Sequence, residues 1–421
     1  YMLGFIFYKH LSEKVEKFKK LYELMMSQKE ELAKLNTLEM WMLYTDAIWD
    51  ITKSSSNILF FCDNASKYLA SKEVAEHWVK AKIVYEPLGI IFSIMPWNYP
   101  FNQVLRSVVP NIIAWNVVLM KHASNVPQVA QKLEDLFKEA WFPEWVYTNL
   151  FIPHDFTEKI IADFRIKGTN VTGSDIVGRE VWRLSGKYIK PTIIELGWND
   201  SFIVWNVEDI DATVAKAVKG RFSNNGQKCN CSKRFIIVEK MYDEFVKKFV
   251  TAVENLKIWD PMEASTQIGP LAKSSAVEGI HKQVTETIKE GWVLLTWWEK
   301  VEGIGCFYKP TVLEVKPWMT TFEEETFGPV ASIIKARDFE EAVIMARKIE
   351  ELNRERQTVE LKIFEEAVAL IEQKSKNNKI LIAASKNWHS GVIGIVASKL
   401  TEKYNKPTFV IAIEDENIGK G

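Results

Sequence analysis

The stretch GIIFSIMPWNYP, residues 89–100, decides the fold, because it reads as a short buried strand that ends in a turn between two prolines. Three further apolar runs have the same form, namely NVVLMK (116–121), PTIIEL (191–196) and SFIVW (201–205). Helical patterns separate these runs, for example at 126–140, 175–187 and 209–222. Alternation of strands and helices predicts a parallel sheet with helices on both faces. The sequence therefore predicts an α/β fold with a doubly wound sheet.

The chain has 421 residues, a formal net charge of −1 and four cysteines. Four cysteines are too few for a disulfide framework in a chain of this length, which predicts a reducing, cytoplasmic compartment. The near-zero net charge argues against nucleic acid or an anionic membrane as a partner. No apolar run approaches the ~20 residues that a membrane helix needs, and neither a P-loop nor a GxGxxG motif is present. No metal site is predicted.

Changes of pattern along the chain predict three segments. A strand and a long helix follow Cys229, beginning at KRFIIVEK (233–240), and they open a second α/β unit. A long charged helical pattern begins near residue 341, and a strand, a loop, a helix and a strand follow it. We therefore expect a nucleotide-binding domain at 1–228, a partial α/β catalytic domain at 229–340 and a small α/β tail at 341–421. Because the chain begins with Tyr1, we also expect a truncated N-terminus.

Cys229 lies in the polar stretch FSNNGQKCNCSKR, residues 222–234. A free cysteine is most often an inert core residue, and this is the first interpretation. The Asn-Gly pair before Cys229 predicts an exposed turn, however, and the nearby basic residues would stabilise a thiolate. A nucleophilic cysteine is therefore the second interpretation.

Three polar residues follow predicted strands. Asn98 is either a turn residue or an amide directed at a developing oxyanion. Glu195 is either a strand-end carboxylate in water or a general base. Ser174 begins a helix, where free amides and the helix dipole attract phosphate, although many helices begin this way. Together with a cysteine nucleophile, these groups indicate aldehyde oxidation with hydride transfer.

Residues 12 to about 340 resemble the NAD(P)-dependent aldehyde dehydrogenases of the succinate-semialdehyde type. The motifs that carry the resemblance, in the family's order, are PWNYPF (96–101), KHASNVP (121–127), TGS (172–174), IELGWND (194–200), NNGQKC (224–229) and EETFGPV (324–330). The resemblance implies that Cys229 is the nucleophile, Glu195 the general base and Asn98 the oxyanion donor. It also implies a Rossmann-like NAD(P) site formed by Trp97 at a cofactor-lining strand end, Lys121 at the adenosine ribose, Ser174 at the pyrophosphate, Glu325 at the nicotinamide ribose and Phe327 beside the nicotinamide.

Two positions bear on specificity in this family. Members that require NAD often carry a glutamate three residues after the ribose-binding lysine, but Ser124 stands there, so we expect NADP to be accepted. Arg106 corresponds to an arginine of the substrate tunnel, and its guanidinium suits a substrate carboxylate. A second arginine of some relatives is replaced by Ser223. We therefore expect a semialdehyde such as succinate semialdehyde as the substrate. A disulfide between Cys229 and Cys231 that silences the enzyme is a further hypothesis, and an inert Cys231 is its alternative.

Tryptophan is unusually frequent, with 16 copies against 19 glycines. Trp198 stands where the family motif Glu-Leu-Gly-Gly has its second glycine. The same exchange is found at Trp41, Trp115, Trp141, Trp145, Trp259, Trp297, Trp298 and Trp318. Exchange in one direction at so many sites suggests a UGA codon that means glycine in the source and is read as tryptophan. If these residues are tryptophan, strain or overpacking of ~1–3 kcal/mol at each would together unfold the chain.

Residues from about 345 resemble a different family, the RecJ-type single-strand exonucleases of the DHH superfamily. The stretches IEELNRERQ (349–357), NWHSGVIGIVASKLTEKYNKPTFVI (387–411) and GKG (419–421) resemble its C-terminal DHHA1 subdomain. The metal-binding motifs of that family are missing, and His389 has no metal-binding partner nearby in sequence. The family's dimer-completing strand is also missing, although a homo-oligomer is otherwise implied. We therefore expect a chimera. An inactive hybrid and a module that binds single-stranded nucleic acid are the alternatives to an active dehydrogenase.

Overall fold

A computed structural model describes residues 2–76, 79–291, 293–296, 299, 305–374, 378–386, 388, 393–415 and 418–420. The chain forms two compact units, Tyr1–Lys335 and Ala336–Gly421. Among the described helices, none is long and apolar enough to cross a membrane. Three residues singled out from the sequence, Trp297, Trp298 and His389, lie outside the described residues.

Helices and strands alternate through the first unit. Its helices are α1 (Met2–Ser27), α2 (Lys29–Met40), α3 (Tyr44–Tyr68), α4 (Pro100–Ile113), α5 (Pro127–Glu139), α6 (Phe156–Ala162), α7 (Asp175–Lys187), α8 (Ile210–Phe222), α9 (Glu239–Glu254), α10 (Ser274–Lys289) and α11 (Thr320–Glu323). Its strands are β1 (Lys72–Glu76), β2 (Val79–Ile83), β3 (Ile90–Met95), β4 (Val117–His122), β5 (Tyr147–Asn149), β6 (Ile166–Thr172), β7 (Thr192–Glu195), β8 (Asp200–Val204), β9 (Ser232–Val238), β10 (Val293–Leu294), β11 (Thr311–Glu314) and β12 (Val330–Ala336). The first two strands pair with each other as an antiparallel hairpin.

Strands β3 to β7 form a parallel five-stranded sheet with the order β5-β4-β3-β6-β7. The chain runs outward from β3 through β4 to β5 and then returns to place β6 on the other side of β3. This reversal of strand order leaves a crevice at the carboxyl ends of β3 and β6, where open α/β sheets bind ligands. The predicted doubly wound α/β fold is confirmed.

Apolar side chains cover both faces of this sheet. On one face, α4 and α5 pack with the N-terminal helices around the buried rings of Phe18, Phe101 and Phe137. On the other face, Phe92 of β3 packs with Val181 of α7. Each fully buried side chain of this size contributes roughly 1.5–3 kcal/mol of transfer free energy, so the covered sheet is a rigid platform for the crevice.

The second sheet of the first unit has the order β10-β11-β12-β9-β8. Within it β8 pairs with β9 and β11 with β12 in parallel, whereas β10 pairs with β11 antiparallel. The rings of Phe235 and Phe249 lie in its core. Strand β8 precedes residue 229, so this sheet begins within the segment assigned to the first domain from the sequence. The domain division at 228–229 stays a prediction.

The second unit consists of α12 (Phe339–Lys374), β13 (Leu381–Ser385), α13 (Ile393–Tyr404), β14 (Thr408–Asp415) and β15 (Ile418–Lys420). Strand β14 pairs in parallel with β13 and antiparallel with β15. Leu381 and Val396 are buried in its core, and Nε1 of the buried Trp388 donates to Oε2 of Glu366 at 2.8 Å. The predicted order of helix, strand, helix and strand is confirmed for this segment.

Three tryptophans end helices in the left-handed backbone region. Trp41 follows α2, Trp115 is two residues beyond α4 and Trp141 two residues beyond α5, with φ of 62°, 61° and 63°. Glycine is the usual residue at such helix ends, because a Cβ is strained in this conformation. The backbone at these three positions therefore has the conformation that glycine adopts most readily, which is what the codon hypothesis predicts.

Four other tryptophans at expected glycine positions lie at the surface instead. Trp145, Trp198, Trp259 and Trp318 are each more than half exposed, and none has a positive φ. The overpacking that we expected at these positions is therefore not found. Backbone strain remains the main cost, and it is confined among the described tryptophans to the three helix ends.

Candidate active site

Most of the side chains singled out from the sequence meet at the crevice between β3 and β6. A cavity of about 880 Å³ opens there. The singled-out residues that line it are Trp97, Asn98, Lys121, Ser124, Ser174, Cys229, Glu325 and Phe327. Residues after three strands of the first sheet thus share one cavity with loops of the second.

The nucleophile loop, residues 226–231, begins after two asparagines in the left-handed region. Asn224 and Asn225 have φ of 49° and 56°, a conformation that asparagine tolerates better than most residues. Asn225 is fully buried, with Nδ2 donating to the carbonyl of Pro270 at 2.9 Å and Oδ1 accepting from the amide of Gly269 at 2.7 Å. The exposed turn predicted for this Asn-Gly pair is therefore wrong. The pair is a buried turn that fixes the start of the nucleophile loop.

Cys229 is half-buried, and its thiol is free. Burial raises the pKa of Cys229, whereas the positive charges of Arg106 and Lys233 lower it. Burial is the largest of these effects, so the net shift is upward. The cations expected from the sequence are present, but the desolvation of the thiolate outweighs them.

Asn98 joins the turn after β3 to the nucleophile loop. Its side chain is buried, and Nδ2 donates to the carbonyl oxygen of Gln227 at 3.0 Å. In return, Nδ2 of Asn224 donates to the carbonyl oxygen of Asn98 at 2.9 Å. These two bonds hold the Asn98 amide beside the loop that carries Cys229. An amide nitrogen has two hydrogens, so one donor remains after the bond to Gln227.

Arg221 lies against the nucleophile loop with a fully buried guanidinium. Its Nη1 donates to Sγ of Cys231 at 2.8 Å, and its Nη2 donates to the carbonyl oxygen of Thr326 at 2.9 Å. It also donates to the carbonyl oxygens of Gly328 and Val330. Arg221 therefore fastens the nucleophile loop to residues 326–330.

Cys231 is buried against this arginine. Besides accepting from Arg221, its thiol donates to the carbonyl oxygen of Lys228 at 3.1 Å. Cys229 and Cys231 are both free thiols in this structure. A disulfide between them would remove the hydrogen of the Cys231 thiol and with it the bond donated to Lys228, and its formation stays a prediction.

The other end of the cavity carries groups suited to a dinucleotide. Lys121, at the end of β4, is buried, and burial lowers its pKa. No described residue accepts a hydrogen bond from its Nζ. Ser174 is the N-cap of α7, yet its hydroxyl makes no capping bond, so it faces the cavity together with the positive helix end. A buried cation without an acceptor and a free helix N-terminus fit the ribose and phosphates of NAD(P). Ser124, small and neutral, is exposed in the loop that follows Lys121.

Two rings and a carboxylate occupy the boundary between the two ends of the cavity. The rings of Trp97 and Phe327 meet edge to face, with centroids 5.8 Å apart. Burial raises the pKa of Glu325, and the ion pair with Lys233, at 2.9 Å between Nζ and Oε1, lowers it. A flat ring and a carboxylate that line the same cavity as Cys229 suit a nicotinamide and its ribose.

Two residues expected in the site do not line the cavity. Glu195 ends β7 with an exposed side chain, and its carbonyl accepts from the amide of Gly173 at 3.1 Å. Arg106 is exposed on α4, although it is the charge that most lowers the pKa of Cys229. Their roles as general base and as substrate ligand stay predictions.

Three further residues around the cavity were not singled out from the sequence. Lys233 and Arg221 are fully buried cations, and Gln283 of α10 donates to the carbonyl of Glu325 at 3.2 Å. For Lys233 a signal was available, because it lies two residues before the apolar run Phe235–Val238, and a buried strand can extend to such neighbours. Within the described part of the chain, no group of three or more His, Cys, Asp or Glu side chains is arranged to hold a metal ion.

Comparison with known proteins agrees with this geometry. The chain matches the aldehyde dehydrogenase family over residues 9–350. It is 37% identical to a succinate-semialdehyde dehydrogenase [NADP(+)] of Deinococcus radiodurans over 337 residues, covering 80% of this chain and 71% of that protein. A protein of the same name from Mycobacterium avium is 39% identical over 328 residues, covering 77% and 70%. The solved succinic semialdehyde dehydrogenase of Streptococcus pyogenes in complex with NADP+ superimposes with a TM-score of 0.78 at 31% identity, covering 80% of this chain and 74% of that one. The chain therefore belongs to the aldehyde dehydrogenase family, whose members are NAD(P)-dependent oxidoreductases.

Proposed function

We propose that this chain oxidises a carboxylate-bearing semialdehyde, such as succinate semialdehyde, to the acid, with NADP as the hydride acceptor. The observation that carries the proposal is the single cavity that Cys229 and Asn98 share with Lys121 and Ser174. The relatives from Deinococcus radiodurans and Mycobacterium avium, which carry this activity in their names, support the choice of substrate and cofactor. They also favour a dehydrogenase over the two alternatives raised from the sequence.

The residues divide the chemistry between them. The Cys229 thiolate attacks the aldehyde carbon, and the amides of Asn98 and of the Cys229 backbone donate to the oxyanion of the thiohemiacetal. Bound NADP supplies the acceptor for the hydride that leaves this carbon. A thioester then remains on Cys229. Glu195 takes a proton from a water molecule, whose oxygen attacks the thioester and releases the acid and the thiolate. Aldehyde, oxidised cofactor and water thus give acid, reduced cofactor and a proton.

The cofactor choice rests on Lys121 and Ser124. The Lys121 ammonium carries no carboxylate partner among the described residues, so its charge is available to a ribose or a phosphate. Ser124 neither repels nor crowds a 2′-phosphate, as a glutamate in its place would. NADP is therefore the expected cofactor, and NAD is the alternative that a titration with each dinucleotide would reveal.

The substrate choice rests on Arg106. It is the cation with the largest effect on Cys229, and a guanidinium is a suitable donor for the distant carboxylate of a semialdehyde. An aldehyde without a carboxylate would leave this charge unpaired and is expected to be a poorer substrate.

The test is NADPH formation from succinate semialdehyde by the full chain and by the variant Cys229→Ala. We expect the variant to lose the activity, because Cys229 is the thiol that lines the cavity. Cys306→Ala is the matched control and should retain activity. Unchanged oxidation by Cys229→Ala would show that the proposed chemistry is wrong.

We further infer that residues 345–421 derive from a RecJ-type exonuclease, so that the chain is a chimera. The family match ends at residue 350, the second compact unit begins at Ala336, and its elements have the predicted order, all of which support this. Nuclease activity is not part of the proposal.

One uninterrupted read of the source DNA tests the composite origin and the codon hypothesis together. We expect TGA at codons 198, 259, 297, 298 and 318 and a break in the gene near codon 345. TGG codons in an unbroken frame would reject both ideas.

The compartment and the assembly are also proposals. All four cysteines are free thiols, which supports the reducing cytoplasm as the place of action. A homo-oligomer is the expectation for the family. Light scattering on the purified chain measures the mass in solution, and a monomer would reject it.

A further inference from the structure

Lys233 is a lysine in an unusual place. It is the second residue of β9, and its side chain is fully buried, whereas lysine is almost never fully buried unless it is paired. Its Nζ donates to the carbonyl oxygen of Cys229 at 2.6 Å and lies 3.5 Å from the carbonyl oxygen of Cys231. Its third partner is Oε1 of Glu325, at 2.9 Å. One ammonium group therefore touches both the backbone of the nucleophile and the carboxylate proposed for the nicotinamide ribose.

Neighbouring residues leave the carboxylate of Glu325 little free space. The backbone amide of Trp198 donates to the Glu325 carboxylate. A Cβ added at Gly197 would collide with Oε2 of Glu325, so a glycine is needed there for the carboxylate to sit as it does. The carboxylate is thus held at a defined position by Lys233 on one side and by residues 197–198 on the other.

Arg221 provides a useful contrast, because it joins the same two loops. Its partners are backbone carbonyls, the Thr326 hydroxyl and the Cys231 thiol, none of which is assigned to the cofactor. Cofactor binding leaves those partners as they are. The carboxylate of Glu325, in contrast, must be shared between Lys233 and the ribose hydroxyls when the cofactor is bound. Of the two buried cations Lys233 and Arg221, Lys233 is therefore the one whose surroundings change with cofactor occupancy.

We propose that Lys233 is a positioning residue that couples occupancy of the ribose site at Glu325 to the reactivity of Cys229. This inference rests on the proposed function, since it needs Glu325 to bind the cofactor. Ribose hydroxyls that bond to Glu325 weaken its hold on the ammonium group of Lys233. The ammonium group, already 2.6 Å from the Cys229 carbonyl oxygen, is then held mainly by the backbone of residues 229–231, and the nucleophile loop moves together with it. The structural alternative is a lysine that only fills space and stabilises the fold.

Alkylation of Cys229 separates these two roles without any need for turnover. Iodoacetamide is added to the full chain with and without saturating NADP+, and mass spectrometry of the Cys229 peptide gives the rate of modification. Calorimetry measures NADP+ binding in the same samples. The ratio of the two alkylation rates reports the coupling, and we expect at least about a fivefold change in the wild-type chain, the lower end of typical couplings between sites.

In Lys233→Met the ratio should fall to about 1, while Lys233→Arg, which keeps the charge, should retain most of it. Lys248→Met is the matched control, because Lys248 is a partly exposed lysine of the same unit with carboxylate partners of its own. It should leave the ratio unchanged. If Lys233→Met does not fold, Glu325→Gln decides, because it removes the charge of the partner and keeps its shape. In Glu325→Gln the ratio of alkylation rates should fall to about 1 at saturating NADP+.

The outcomes distinguish the two levels of the proposal. If Lys233→Met keeps the wild-type ratio of alkylation rates, the role of Lys233 is overturned. The same holds for Glu325→Gln if Lys233→Met does not fold. A wild-type chain that binds NADP+ without any change in alkylation rate overturns it too, while leaving the proposed function intact. A wild-type chain that does not bind NADP+ refutes the proposed function itself.

Discussion

The side-chain Nδ2 of Asn98 donates a hydrogen bond of 3.0 Å to the carbonyl oxygen of Gln227, two residues before Cys229. Asn98 belongs to the turn after β3 of the first sheet, and Gln227 belongs to a loop that leads into the second sheet. This bond and the bond from Nδ2 of Asn224 to the Asn98 carbonyl oxygen together hold the proposed oxyanion donor beside the loop of the proposed nucleophile.

Asn98→Ala should lower kcat for aldehyde oxidation by about 10²–10³-fold, because removing one oxyanion donor typically has that effect. Steady-state kinetics with succinate semialdehyde measure it. Asn64→Ala, at an exposed asparagine of α3, is the control and should leave kcat unchanged. A loss of less than tenfold in Asn98→Ala would mean that this amide does not stabilise the transition state.

Trp141→Gly should raise the free energy of unfolding by about 1 kcal/mol, because a side chain in the left-handed region is strained by that order. Trp141 is exposed and has a φ of 63°, so little packing is lost with its ring. Urea denaturation measures the change. Trp49→Gly is the matched control, since Trp49 is an exposed tryptophan inside α3, where glycine costs about 0.5–1 kcal/mol. The two substitutions should therefore have opposite signs. Equal signs would contradict the assignment of Trp141 to a glycine position.

Arg106→Met should shift the pH profile of Cys229 alkylation to higher pH. Burial already raises the pKa of Cys229, and Arg106 is the charge that most offsets this effect, so its removal raises the pKa further. The KM for succinate semialdehyde should also rise about 10-fold or more, since a hydrogen bond between charged groups contributes roughly 1.5–3 kcal/mol. The KM for an uncharged aldehyde of similar length should change much less.

Arg165→Met is the control for the loss of an arginine, because Arg165 pairs with Asp163 at the surface. It should alter neither the alkylation profile nor either KM. If the two aldehydes respond alike to Arg106→Met, the arginine does not bind the substrate carboxylate.

Asp50 should make the first unit less stable as the pH rises. The carboxyl is fully buried, and burial raises its pKa from 3.8 to about 7. The folded chain therefore holds a proton that the unfolded chain has lost between these values. The stabilisation is complete below about pH 4 and is lost as the pH rises through about 7. Asp50→Asn removes this dependence, so its stability relative to wild type should improve by up to about 4 kcal/mol between about pH 4 and pH 8.

Urea denaturation across this pH range measures the difference for Asp50→Asn. Asp63→Asn, at an exposed aspartate of the same helix α3, is the control. It should leave the pH dependence of wild type almost unchanged. Parallel curves for wild type and Asp50→Asn would mean that Asp50 is ionised in the folded chain at all these pH values.

The positions of Asn98, Lys121 and Ser174 could be predicted because each lies at the carboxyl end of a strand of a parallel sheet or just after it. The carboxyl ends of such strands meet at one edge, so strand order alone brings these residues together. The sequence resemblance supplied their expected roles. Cys229 could also be singled out from the sequence, because it lies in one of the motifs that carry the resemblance.

The electrostatics of the site could not be predicted in the same way. The net pKa shift of Cys229 depends on burial by residues that are distant in sequence. The basic residues close to it in sequence suggested a lowered pKa instead. Lys233 shows the limit most clearly. Its partner Glu325 lies on a different loop, and only the pairing of strands in the second sheet brings the two into contact.

The bond between Asn98 and Gln227 also affects the order in which parts of the site form during synthesis. The two residues are 129 positions apart in the sequence. At ordinary translation speeds, Gln227 is therefore added to the growing chain roughly ten seconds after Asn98. The first sheet can fold during this interval and offer its crevice to a nucleotide. A growing chain thus acquires the part of its dinucleotide site formed by Lys121 and Ser174 before its thiol is positioned, whereas Glu325 and Phe327 are added later. Reactive aldehydes meet a competent nucleophile only after synthesis has passed the second sheet.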